Sequence, residues 1–305
     1  MTESSRPAVR TLVFIINPAS GGRSGARLAR RLATACGADA VHLLRHTHLP
    51  DLVARLEGAG KPAAVVACGG DGTASAIAGA LLAAGARRTA LAVIPLGTGN
   101  DLARVLGWPS LTSDGDLEPR LAALAAAPER RLDGWQVVGP GFDRAWFNYW
   151  SIGADARTAW RFDHLRHRRP WLLRTPAINR VAYALLGAID RGPPPPLLGA
   201  GGRPLPAWAA ALVLASIPSY AGGVRLSPVI DPADGRLEVF ALGAQVAMGL
   251  VAARLRRPRL IDRAASWELA LSRPAPMQVD GEPFIAAAGR YHCRHAGTIG
   301  VLVAR

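Results

Sequence analysis

Three glycine-rich segments, each directly behind a short β-rich apolar run, constrain this chain more than any other feature. The first is Asn17-Pro18-Ala19-Ser20-Gly21-Gly22, after the run Thr11–Ile16. The second is Gly69-Gly70-Asp71-Gly72-Thr73, after Ala63–Cys68. The third is Pro95-Leu96-Gly97-Thr98-Gly99-Asn100-Asp101, after Ala90–Ile94. Helical patterns fill the gaps over Ala26–Ala35, Pro50–Glu57 and Thr73–Ala84, and Val41–Arg45 supplies a further strand. Repeated βα units of this length predict a parallel sheet covered by helices. The doubly wound logic then puts all three glycine turns at the carboxyl edge, where such folds bind ligands. Bare N–H groups and helix N-termini at that edge suit phosphate. Asp71 and Asp101 are odd residues there unless a divalent cation lies between them and the phosphates.

The chain has 305 residues, half of them hydrophobic and 19% charged. That length predicts two domains, and that composition allows a sizeable core. Of 36 basic residues a single one, Lys61, is lysine, and it precedes Pro62 with no Gly-Lys-Ser/Thr around it. A Walker loop or a protein-kinase ATP site needs a lysine on the phosphates, so both are excluded. The formal charge of +14 suits nucleic acid, phosphorylated metabolites or an anionic membrane face, although a bias for arginine accounts for it equally. Cys36, Cys68 and Cys293 are an odd number, which argues against a disulfide framework and for a reducing, cytoplasmic setting. Met1–Arg10 lacks a signal-peptide core, and no apolar run reaches about 18 residues, so a soluble or peripheral protein is expected.

After Pro128 the texture becomes β-rich. Arg131–Val138, Trp146–Ile152, Trp208–Ile217, Leu237–Leu242, Ser266–Leu271 and Thr298–Val303 read as strands, with helices over Asp155–His167 and Gln245–Leu255. Pro193–Pro196 with Gly199–Gly202 reads as a loop outside regular structure. The expected fold class is an α/β, doubly wound N-terminal domain with a β-rich, sandwich-like C-terminal domain. The boundaries expected are 9–130 for a nucleotide-binding domain and 131–296 for an accessory domain, with a last strand near 297–305 returning to the first.

Asn-Pro-Ala-Ser-Gly-Gly, Gly-Gly-Asp-Gly-Thr and Pro-Leu-Gly-Thr-Gly-Asn-Asp-Leu-Ala-Arg together resemble the catalytic domain of diacylglycerol kinases, a family that also includes sphingosine and ceramide kinases. Phe147–Ala156, Ile217–Gly223 and Met277–Pro283 resemble the accessory domain. The resemblance implies an ATP-dependent lipid kinase of the same two-domain fold, which phosphorylates the free hydroxyl of diacylglycerol to give phosphatidic acid. It places Asn17, Pro18, Ser20, Gly21, Thr47, Gly69, Gly70, Asp71, Gly72, Thr73 and Thr98 at ATP. It implies that Asp71, Asp101 and Asp133 organise magnesium through water, and that Glu282 is the general base. Chemistry agrees on residue type, since an acceptor hydroxyl attacking a γ-phosphoryl group needs a carboxylate to take its proton. On its own Glu282 reads as an exposed turn glutamate.

The resemblance also implies a structural magnesium at Asp231, Asp234 and the Leu237 carbonyl, where the bare sequence reads as a β-turn. His292, Cys293 and His295 lack the second pair a zinc site needs and read as a strand with alternating faces. Arg166, Arg168, Arg169 and Trp171 lie in a basic, aromatic stretch that suits an anionic lipid surface, and Arg254, Arg256, Arg257 and Arg259 form a second cluster. The partners expected are a lipid substrate at such a surface and no nucleic acid; a homodimer stays open, and the location is cytoplasmic and peripherally membrane-associated. The alternatives are a kinase of another lipid such as a sphingoid base, and a non-catalytic basic protein binding membrane or nucleic acid. NAD kinase shares Gly-Gly-Asp-Gly-Thr but is disfavoured by the third glycine segment and by Asp280-Gly281-Glu282.

Overall fold

The computed structural model describes residues 10–304, apart from 22–23, 98, 112, 170, 174–175, 201–205, 207, 228 and 244–257. Contacts divide the described chain into two units. One runs up to Leu132 and takes in the residues from Thr298; the other is Asp133–Gly297.

In the first unit the apolar runs become strands β1 (Thr11–Ile16), β2 (Val41–Leu43), β3 (Ala63–Gly69) and β4 (Thr89–Pro95). They are joined by helices α1 (Ser24–Cys36), α2 (Leu49–Gly58) and α3 (Asp71–Ala83), and α4 (Asp101–Val105) and α5 (Leu117–Ala125) follow. The strands are parallel in the order β2-β1-β3-β4. The end of β17 (Gly289–Leu302) adds to β4, also in parallel, with Val301 opposite Leu91. Strands β3 and β4 are buried end to end, which is why their sequences read as unbroken apolar runs rather than alternating ones. The helices lie against the sheet with Leu28 and Leu32 of α1, Leu52 and Leu56 of α2, and Ile77 and Leu81 of α3 buried. The chain steps outward from β1 to β2 and then returns past β1 to β3. The topological switch point therefore lies between the ends of β1 and β3.

Strand β2 is shorter than expected: it stops at Leu43, and Leu44–His46 makes one 3-10 turn instead.

The second unit contains two sheets. Its chain order is β5 (Glu129–Gly139, shared with the first unit), β6 (Phe142–Trp146), β7 (Tyr149–Gly153), α6 (Ala154–Arg168), α7 (Pro176–Ala188), β8 (Leu197–Ala200) and β9 (Ala211–Ala215). A two-residue pair, β10 (Ser219–Tyr220) and β11 (Val224–Arg225), precedes β12 (Leu237–Leu242) and β13 (Arg259–Ala264). Then come β14 (Ser266–Leu271), β15 (Ala275–Val279), β16 (Glu282–Ala286) and β17. One sheet is antiparallel in the order β13-β12-β9-β7-β15-β16. The other joins β5, β6, β8, β14 and β17. Trp135, Trp146, Trp150, Leu214, Trp267, Met277 and Tyr291 from both sheets share one core, so the unit is a sandwich. In β9 even the alternate residues are buried, because Val213 and Ala215 face a second core with Tyr149, Tyr220 and Phe240.

Three sequence expectations need correction here. Trp146–Ile152 is not one strand but two, β6 and β7. The break falls where the Asp280 carboxylate accepts the backbone N–H groups of Phe147, Asn148 and Tyr149, at 3.0, 2.8 and 3.1 Å. The Pro193–Gly202 stretch does hold regular structure, since β8 pairs with β14 as an edge strand, a place that tolerates nearby proline and glycine. Helix α7 has no counterpart in the sequence reading. The expected helix over Gln245–Leu255, with Arg254, Arg256 and Arg257, lies outside the described residues.

Candidate active site

The register of the first sheet brings the glycine turns together. Ile16 pairs with Cys68 and Gly69 with Pro95, so the segments after β1, β3 and β4 leave the sheet at one edge. The Asn17 amide donates to the Cys68 carbonyl at 3.1 Å, and the Leu96 amide to the Gly69 carbonyl at 2.8 Å. In the first turn Asn17 Oδ1 accepts the Ala19 amide at 3.0 Å, and the Ser20 amide donates to the Asn17 carbonyl at 3.1 Å, closing the bend over Pro18. Gly21 has φ +63°, and a Cβ on it would meet the Leu96 carbonyl at 2.6 Å, so the first turn packs directly on the third. Thr47 follows β2, whose Leu43 pairs with Ile16, and its hydroxyl donates to the Leu43 carbonyl at 2.8 Å.

Gly97 and Gly70 divide two tasks between them. A Cβ on Gly97 would lie 2.9 Å from Asn100 Oδ1 and 3.0 Å from the Gly70 Cα, so close packing of the second turn on the third requires glycine there. Gly70 differs. It has extended backbone (φ −99°, ψ −171°), and a Cβ on it would meet nothing closer than 3.8 Å. The fold alone does not demand glycine at position 70. Gly72 and the buried Thr73 form the first turn of α3, where the Thr73 amide donates to the Gly70 carbonyl at 3.1 Å. Thr98 lies outside the described residues.

Asp71 opens α3, and its carboxylate accepts the backbone N–H groups of Asp101 (3.1 Å) and Leu102 (3.2 Å). It thus caps the first turn of α4 from a neighbouring element. Asp101 is fully buried, with Arg104 3.5 Å from its Oδ1. Asn100, at φ 51°, has a buried Oδ1 with no partner. The oxygen donors Asp71, Asn100 and Asp101 gather here beside Arg104, and their carboxylate and amide oxygens suit a hard divalent ion arriving with a nucleotide. Among the described residues no three of His, Cys, Asp or Glu gather as a protein-only metal site.

In the second unit Asp280 (φ 49°) and Gly281 (φ 84°) form the two-residue turn between β15 and β16. Both positions need positive φ, as in a type I′ hairpin. Glu282 is the first residue of β16; its exposed carboxylate lies 3.0 Å from the Arg144 guanidinium. Asp133 is buried and committed within its own unit. Its Oδ1 lies 2.9 Å from His295 Nε2, and its Oδ2 accepts the Gly235 amide at 2.7 Å. His292 and Cys293 do alternate, exposed and buried, along β17.

The implied structural magnesium does not fit the residues present. Asp231 Oδ1 accepts the Ala233 amide at 3.0 Å and Asp234 Oδ1 the Arg236 amide at 2.9 Å. Asp234 Oδ2 is ion-paired with Arg263, which also reaches Glu238 Oε1 at 3.0 Å. The guanidinium holds the loop where a metal ion was expected, and Leu237 is simply the buried first residue of β12.

Arg166, Arg168, Arg169 and Trp171 are all exposed at and just beyond the end of α6. Sequence reasoning missed three polar centres: Asp280, the Asp133–His295 pair, and buried Asp155. The last accepts the Ser151 hydroxyl, the Tyr183 hydroxyl at 3.3 Å and the Gln278 side-chain amide. Burial, and then the neighbouring Asp155 charge, push the Tyr220 hydroxyl well above its ordinary pKa.

Comparison with known proteins settles the family. The diacylglycerol kinase catalytic domain matches residues 11–136, and the diacylglycerol kinase accessory domain matches 145–191 and 201–283. The chain belongs to the diacylglycerol kinase family. Within that family it is 30% identical to diacylglycerol kinase 2 of Arabidopsis thaliana, over 97% of this chain and 46% of the relative. It is 28% identical to diacylglycerol kinase theta of Homo sapiens, over 76% of this chain and 28% of the relative. The chain spans less than half the length of these curated relatives. A crystal structure of a diacylglycerol kinase from Bacillus anthracis str. Sterne matches with a TM-score of 0.59 at 14% identity, covering 98% of both chains. A candidate diacylglycerol kinase from the same organism matches at a TM-score of 0.68 and 18% identity, over 99% of this chain and 98% of that one. Both likenesses speak for the fold, an α/β unit followed by a β-rich one.

Proposed function

We propose that this member of the family is an ATP-dependent lipid kinase that phosphorylates the free hydroxyl of diacylglycerol, giving phosphatidic acid and ADP. The observation that carries the reading is Gly70. It stands at the topological switch point, between β3 and the N-terminus of α3, with room for a Cβ that the sequence does not use. Space kept open at a helix N-terminus suits a phosphate chain approaching bare backbone.

In this reading Asn17, Ser20, Gly21, Gly69, Gly70, Gly72, Thr73 and Thr98 cradle the phosphates, and Thr47 flanks them on the same sheet edge. Asp71, Asn100 and Asp101 would hold a magnesium ion, which supplies charge neutralisation on the phosphates when bound. Glu282 takes the proton of the acceptor hydroxyl as its oxygen bonds to the γ-phosphorus and the bond from that phosphorus to ADP breaks. Arg144 orients the Glu282 carboxylate. Asp133 acts indirectly, by fixing the Asp231–Leu237 loop. The enzyme works in the cytoplasm at an anionic membrane surface, with Arg166, Arg168, Arg169 and Trp171 facing the lipid.

Titration calorimetry with magnesium and ATP tests the nucleotide half of this reading: the wild type binds and Gly70→Asp does not. Equal affinity in the two proteins would remove the glycine turns from the nucleotide site.

A further inference from the structure

Helix α7 is apolar nearly all round; Asn179 and Arg180 are the strongly polar residues of its thirteen. One side is satisfied by α6. The Tyr183 ring meets Phe162 edge to face at 5.5 Å, the Tyr183 hydroxyl reaches Asp155, and Gly187 is buried. Among the described residues the other side is largely exposed. Ile178, Val181 and Leu185, with Ile189 just past the helix end, follow a spacing of three, four and four, and so share one face. Together with Trp171 and Leu172 they are between 39 and 60% exposed. Eleven large hydrophobic residues are exposed among the described residues, and these six fall within nineteen positions. Single exposed apolar residues need no explanation; a contiguous stripe of them does.

What covers the stripe follows from the charge around it. Arg166, His167, Arg168 and Arg169 precede it and Arg191 follows it, all exposed. A second copy of this chain, docked on the same face, would bring like basic flanks together, which opposes association. An anionic bilayer accepts both parts at once: headgroups take the arginines, acyl chains take the apolar stripe, and Trp171 suits the boundary between them. At about 1.5 Å per residue the helix is too short to span a bilayer and must lie in its plane. Among the described residues no helix is long and apolar enough to cross a membrane.

We infer that α7 is an in-plane membrane anchor whose Ile178, Val181, Leu185 and Ile189 face enters anionic lipid. This deepens the lipid-kinase reading and rests on it for the choice of bilayer as occupant.

The test is co-sedimentation with vesicles of phosphatidylcholine alone and of phosphatidylcholine with phosphatidylglycerol. The wild type should partition onto the anionic vesicles, and V181S/L185S/I189S should lose about tenfold or more in partitioning. R166Q/R168Q/R169Q should lose a comparable amount at low salt. All three serine positions are exposed, so melting curves should coincide; if the triple variant fails to fold, Leu185→Ser alone carries the test. Unchanged vesicle binding in the serine variants overturns the anchor. So does equal binding to neutral vesicles, or a wild-type dimer that the serine variant dissociates, which would make the occupant a second copy. Wild-type phosphorylation of a water-soluble short-chain diacylglycerol, measured without vesicles, reports separately on the kinase reading. Its absence sinks that reading whatever the vesicles show.

Discussion

Asp71 and Asp101 are joined head to tail: the backbone N–H of Asp101 donates to Asp71 Oδ2 at 3.1 Å, and the next amide, that of Leu102, donates to Oδ1 at 3.2 Å. One carboxylate therefore starts two helices, opening α3 with its own backbone and capping α4 with its side chain. Two effects should follow from Asp71→Asn. The lost charge at the cap should cost about 1 kcal/mol of stability, read as a lower melting temperature. Magnesium-dependent ATP binding by calorimetry should fall by at least about tenfold, which is 1.4 kcal/mol. Lowered stability with intact nucleotide affinity would leave Asp71 a purely structural cap.

Glu282 stands at the opposite extreme, exposed on a tight hairpin and touched by Arg144. As the general base it should show its effect in turnover alone. Glu282→Gln is expected to lower kcat by roughly 10²–10⁴ while ATP affinity measured with magnesium stays at the wild-type level. Near-normal turnover would move the base elsewhere.

The loop between Asp231 and Leu237 is held by Arg263 and by the Asp133–Gly235 hydrogen bond. Its stability should therefore be indifferent to metal. The melting temperature of the nucleotide-free protein is expected to be the same in EDTA and in magnesium. Arg263→Gln, which strips the cation from Asp234 and Glu238, should destabilise the protein by about 1–3 kcal/mol in both. A melting point that drops in EDTA would restore the metal to this loop.

Glu238 makes a pH dependence of unusual sign. Burial pushes its carboxyl up to about 7, against the pull of Arg263. The folded chain then holds a proton that the unfolded chain, with an ordinary value of 4.5, has released. Stability from this group is complete below the unfolded value and is lost as pH rises through about 7. Glu238→Gln should raise stability at pH 8 by about 2 kcal/mol and change little at pH 4, measured by denaturant unfolding. A rise at pH 4 instead would reverse the assignment.

The first unit was legible because its signals are local. Strands buried on both faces show unbroken apolar runs, and glycine segments sit directly behind β1, β3 and β4, so Ile16, Gly69 and Pro95 mark the edge without any distant information. In the second unit the determinants are long-range. The Asp280 carboxylate splits β6 from β7 from more than a hundred residues away, and Asp133 meets His295 across a similar distance. No local pattern announces either pairing; the Asp-Gly sequence at 280–281 marks a turn, but neither the strands β15 and β16 that it joins nor the amides that Asp280 holds. Helix α7 escaped for a different reason. Its uncovered apolar face erases the polar stripe by which an amphipathic helix is recognised. Asp234 marks the limit of a local signal, because a carboxylate pair in a turn looks the same whether a metal or the guanidinium of Arg263 neutralises it.

The central claim is phosphoryl transfer from ATP to a lipid hydroxyl at the glycine turns, and one measurement addresses it directly. Wild type and Gly70→Asp are each incubated with γ-labelled ATP, magnesium and diacylglycerol in mixed micelles, and the lipid products are separated by chromatography. The account predicts labelled phosphatidic acid from the wild type and none from Gly70→Asp, while Gly70→Ala, whose added Cβ meets nothing closer than 3.8 Å, keeps the wild-type melting curve. No labelled lipid from the wild type, or equal labelling by the two proteins, would contradict it.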